Sequence, residues 1–138
     1  TAAPQFYFSK PDKIINSGNK ISVLSGMDYY YSRAYYQIKN AEYQSNTNTY
    51  INTKYIETQN NISVKAMEKL NDSIVVVSGN CIGWFNLNLN TNKLKISSNT
   101  ITHHYVSTGN NLVFTGDYKN VVIYSFNGVN FIMEGVVK

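Results

Sequence analysis

Residues 72–88 read "DSIVVVSGNCIGWFNLN", and how this stretch is parsed decides the fold class. It holds two short β-branched or aromatic runs, "SIVVVSG" and "IGWFNLN", with Asn80 and Cys81 between them. That is the pattern of strand, turn and strand. Phe85, Leu87 and Leu89 alternate with asparagines, so the spacing predicts a strand with one face in the core and the other in water.

The same grammar extends in both directions. "QFYFS", "NKISVLS", "TYINTKYIE", "NISVKAME", "KLKIS", "ITHHYVS", "NLVFTG", "NVVIYSF" and "NFIMEGVV" are short strand-like runs bounded by Gly, Asn, Asp and Ser. Residues 17–19, 116–120 and 127–130 carry turn chemistry. Ile62, Val64 and Ala66 again alternate, and residues 64–70 are expected to form a strand or a single helical turn. The Asn- and Thr-rich residues 40–54 are expected to form a long loop or an exposed edge hairpin. The chain is thus expected to be one domain over residues 1–138, all-β, a β-sandwich of mostly antiparallel strands. An alternative comes from an internal echo. "DSIVVVSGNCIGWFNLN" resembles "NNLVFTGDYKNVVIYSFNG", and 39 residues separate Ile62 from Ile101, which suits a partial three-blade β-propeller. Three blades leave open edges, so that alternative requires a partner or a larger parent chain.

Composition narrows the function classes. The chain is 43% hydrophobic, 14% aromatic and 14% charged, which fits a folded domain and not a disordered one. Its net charge of +4 comes from lysines scattered singly between Lys10 and Lys138, without the clustered basic face of a nucleic-acid binder. No apolar run reaches the length of a membrane helix, and no partner membrane is expected. Cys81 is the only cysteine, so an intrachain disulfide or a cysteine-rich zinc site is excluded. The sequons at Asn61 and Asn71 matter only in a secretory setting.

A family resemblance adds to this. Residues 6–37, "FYFSKPDKIINSGNKISVLSGMDYYYSRAYYQ", residues 46–57, "NTNTYINTKYIE", and residues 62–97, "ISVKAMEKLNDSIVVVSGNCIGWFNLNLNTNKLKIS", resemble the N-terminal shoulder domain of receptor-binding proteins in siphophage baseplates of the lactococcal type, or a related upper baseplate protein. The resemblance implies a β-sandwich that forms a homotrimer or another homo-oligomer and anchors the receptor-binding protein to other baseplate proteins. It also implies a place in the virion, at the tail tip, after synthesis in the bacterial host cytoplasm. The saccharide-binding head of that family has no counterpart here, so contact with a host cell-wall saccharide would come through another domain.

Candidate sites follow from residue chemistry. Residues 25–37, "SGMDYYYSRAYYQ", hold five of the twelve tyrosines and the single arginine. Consecutive strand residues alternate faces, so Tyr29 and Tyr31 oppose Tyr30 and not all can be core. Tyr and Arg recur at binding hot spots, which makes Met27, Asp28, Tyr29, Tyr30, Tyr31, Arg33 and Tyr35 the candidate protein interface, against the plainer reading of a Tyr-rich hairpin half in the core. Trp84 and Asn86 form a weaker candidate saccharide contact, with a buried anchor the stronger reading of Trp84. His103 and His104 point to opposite faces of a strand and do not converge on a metal, so no metal and no cofactor are expected. Glu57, Glu68, Asp72 and Asp117 are the carboxylates to inspect for a glycosidase dyad. No nucleophile motif surrounds Cys81, and no catalytic residue is assigned. The expected function is a non-enzymatic phage tail baseplate module working by oligomerisation and protein contacts. A carbohydrate-binding β-sandwich and a β-propeller-type protein-interaction scaffold are the alternatives.

Overall fold

The structure, a computed structural model, describes residues 11–28, 34–57, 62–89, 93–98, 105–116 and 119–137. It is all-β, mostly antiparallel, with twelve strands among the described residues. These are β1 (Pro11–Ser17), β2 (Lys20–Asp28), β3 (Ala34–Gln44), β4 (Thr49–Tyr55), β5 (Val64–Lys69), β6 (Ile74–Gly79), β7 (Ile82–Asn86), β8 (Lys95–Ser98), β9 (Tyr105–Gly109), β10 (Leu112–Gly116), β11 (Val121–Phe126) and β12 (Phe131–Val137). They form three four-stranded sheets, β1-β2-β3-β4, β5-β6-β7-β8 and β9-β10-β11-β12, each an up-and-down meander in chain order.

Local chemistry explains the turns. Gly18 takes φ +60° between β1 and β2. Asn110 and Asn111 both have positive φ, 52° and 61°, as a two-residue type I′ hairpin between β9 and β10 requires. The Asn127 Oδ1 accepts from the Val129 and Asn130 amides at 2.9 and 2.7 Å, folding the β11–β12 link into an Asx turn. Residues 40–54 become the β3–β4 hairpin, the exposed edge alternative, and residues 64–70 contribute strand β5.

The sheets pack face to face, as in a sandwich, and the second sheet lies between the other two. One of its faces presents Val64, Met67, Val75, Val77 and Phe85 to Ile15, Leu24 and Ile38 of the first sheet. The opposite face presents Val76 and Ile82, with Ile74 and Trp84, to Val113, Val122, Tyr124 and Phe131 of the third. We term the face turned toward the following sheet the leading face and its opposite the trailing face. Across the two boundaries β5 lies against β3 and β1 of the first sheet, and β9 lies against β5 and β6 of the second. Polar ties cross both boundaries. Lys13 pairs with Glu68 at 3.0 Å and Ser17 Oγ donates to the Asp72 carbonyl at 2.7 Å; Thr108 Oγ1 donates to the Lys69 carbonyl at 2.7 Å.

Two expectations are corrected. The second sheet has no wet face, because Val75, Val76 and Val77 are consecutive and all fully buried, which demands a neighbour on each side. The alternation over Ile62, Val64 and Ala66 breaks at a β-bulge between Val64 and Ala66, which changes phase and buries Met67 in place of Ala66. Further along, Phe85 and Leu87 are buried as expected, whereas Leu89 lies past the end of β7 and is exposed.

Candidate interaction surface

Register reveals equivalent positions in the three sheets. At the centre of each leading face the second and third strands pair an apolar couple: Leu24 with Ile38, Val76 with Trp84, and Phe114 with Ile123. Leu24 and Ile38 are buried beneath the second sheet, and Val76 lies in the core against the third. Phe114 and Ile123 occupy the same place with no described sheet over them, and both are only half-buried. Around them on the same face stand Tyr105, Leu112, Val121, Ile132 and Val137, of which Tyr105 is 64% and Val137 56% exposed. Isolated exposed apolar residues are ordinary on a protein surface. A four-strand run of them, set where the two preceding sheets carry a neighbour, is a candidate interaction surface. One acidic group belongs to it: Glu134, whose Oε1 accepts from Ser125 Oγ at 2.6 Å.

Sequence reading missed this face. The signal was present, since Leu112 and Phe114 lie 38 residues beyond Ile74 and Val76. Chemistry alone, however, does not tell a covered Val76 from an uncovered Phe114.

Of the expected interface residues, Tyr29, Tyr30, Tyr31 and Arg33 lie outside the described residues. Met27 and Asp28 end β2 and pair across the ladder with Tyr35 and Ala34 of β3, so the backbone places Met27, Asp28 and Tyr35 together at one end of the first sheet. Trp84 is half-buried, not the fully buried anchor. Its ring meets Phe126 edge-on at 5.1 Å and its Nε1 donates to the Val129 carbonyl at 2.9 Å, clamping the second sheet to the β11–β12 turn. Asn86 Oδ1 accepts from the Asn88 amide at 2.9 Å, ordering the end of β7.

The carboxylates named for a dyad serve separate contacts. Glu68 pairs with Lys13 and Asp72 with Lys69 at 3.5 Å; Glu57 joins Lys93 only through a backbone β-bridge, and Asp117, His103 and His104 lie outside the described residues. Among the described residues no three His, Cys, Asp or Glu side chains gather to hold a metal. Cys81 is fully buried, and burial pushes its thiol up to about 11, leaving it protonated and unreactive near neutrality. A cleft of about 90 Å³ lined by Lys20, Asn40, Glu42, Asn52 and Asn88 opens between the first and second sheets. It is far below the several hundred Å³ of ordinary ligand pockets.

No protein-family model matches the chain, and no curated protein matches it.

Proposed function

We propose that the chain is a non-enzymatic protein-interaction scaffold built of propeller-type sheets, working through the open leading face of its third sheet. The observation that carries this reading is the equivalence of Phe114 and Ile123 to pairs that are covered in the first and second sheets. An apolar face of this kind gains by leaving water, at about 25 cal/mol per Å² covered, and a facing sheet is the partner that fits it. A phage tail baseplate is the setting to which the sequence resemblance points. It calls for the same mode of action, oligomerisation and contact with neighbouring structural proteins.

A photo-cross-linking residue at position 114 tests the scaffold in the cells that make the protein. A discrete protein adduct, identified by mass and lost on Ile123→Asp, is expected. Adducts no stronger than those from the same group at the exposed Lys65 position, together with a rise in melting temperature on adding an oligosaccharide, would sink the reading in favour of a sugar-binding module.

A further inference from the structure

We infer that the third sheet's leading face is covered by the same face of a second copy of this chain, related to the first by a two-fold axis running along the strands. The inference rests on the scaffold reading and names its partner.

The ladder register divides the face into three rows across β9, β10, β11 and β12. The first row is Gly109, Leu112, Ser125 and Ile132. The central row is Ser107, Phe114, Ile123 and the bulge at Glu134 and Gly135. The third is Tyr105, Gly116, Val121 and Val137. A two-fold axis between β10 and β11, parallel to them, lays each row on its own reverse, β12 over β9 and β11 over β10. Large side chains then meet small ones. Ile132 lies over Gly109, where an added methyl group would meet nothing within 4 Å; Leu112 lies over Ser125, and Val121 over Gly116. In the central row Phe114 lies over Ile123, so the two half-buried groups of one copy cover those of the other. Aligned sheets cross at about 30°, which makes the fit closest at this row.

Charge selects this axis. Glu134 Oε1 accepts from Ser125 Oγ within its own chain, and the row reversal brings the carboxylate to the Ser107 hydroxyl of the second copy. The two Glu134 side chains then stand at opposite edges of the dimer, three strand spacings or about 14 Å apart, beyond the ~8 Å screening length at physiological salt. A two-fold axis running across the strands would instead lay β12 on β12 and Glu134 on its own copy, which like charges oppose.

The area is sufficient. A face four strands wide and five residues long has a footprint of roughly 300 Å² at the usual strand spacings. With the pleat and side chains counted, two copies remove on the order of 1,000 Å² from water, the size at which a specific interface begins. A contact of one face with itself is closed, so assembly stops at two.

Light scattering at micromolar concentrations, together with disulfide trapping, tests the dimer. The mass is expected to rise from 15.6 kDa to twice that value and stop there. Mixing a Ser107→Cys chain with a Glu134→Cys chain is expected to give a disulfide-linked pair, whereas each chain alone gives none. The bond must join two copies, because β9 and β12 form opposite edges of the sheet and Cys81 is buried. Gly109→Glu is expected to weaken self-association by about tenfold or more while leaving the unfolding of the monomer unchanged. That variant keeps the test open even if Phe114→Asp fails to fold. A monomer at every concentration, a mass that climbs past the dimer, a dimer without the mixed cross-link, or cross-linking by Glu134→Cys alone would each overturn the arrangement. A monomeric purified chain whose position 114 cross-links to a different protein in cells would overturn it while leaving the scaffold reading intact.

Discussion

Gly79 closes β6 against the start of β5, and its register partner is Val64, at the bulge. A methyl group there would run into the Ser63 carbonyl, which already accepts from the Asn80 amide at 3.1 Å. The obstacle is backbone, so relief needs the bulge itself to move. Gly79→Ala should therefore lower stability by about 3 kcal/mol in urea denaturation, whereas Gly109→Ala, which meets nothing within 4 Å, should change it little. Cys81 offers a pH-dependent probe at the same scale. Its folded thiol titrates near 11 against a usual 9.0, so its contribution to stability is complete below pH 9 and is lost as pH rises from 9 to about 11, where the unfolded chain releases the proton first. The difference in unfolding free energy between the native chain and Cys81→Ala should shrink over that window. A difference constant from pH 8 to 11 would contradict the assigned burial.

At the scale of the element, the β9–β10 hairpin depends on two asparagines in the left-handed region. Asn tolerates that region better than other residues with a side chain, and Gly better still. Asn111→Gly should raise stability by about 0.5 kcal/mol, and Asn110→Val should lower it by ~1–2 kcal/mol, both read from thermal unfolding. The strand ladder was legible for the same reason. Gly18, Asn127 and Gly128 announced their turns, and the runs between them could only be strands. Where a bulge intervened, at Val64–Ala66, the two-residue period misplaced the core, because a bulge adds a residue without a compositional signature.

At the scale of the whole molecule, three meanders were legible only in part. The second and third sheets echo one another because both place β-branched residues in the second strand and an aromatic in the third. The first sheet hides its membership. Ser22 occupies the position of Ile74 and Leu112, and Lys39 that of Phe85 and Tyr124, so the spacing is shared while the chemistry is not. The candidate surface stayed hidden for a different reason. The tyrosines of residues 25–37 are conspicuous by composition, whereas Phe114 and Ile123 become notable only once the sheets are stacked and one face is left over.

Each described strand pairs with the strands beside it in sequence, and each sheet's described strands precede those of the next. During synthesis, a sheet can therefore zip up as it leaves the ribosome, without waiting for distant residues to be made. The second sheet is the exception in solvation: its valines stay half covered until translation delivers the third, so a stall between residues 98 and 105 exposes the most oily part of the nascent chain.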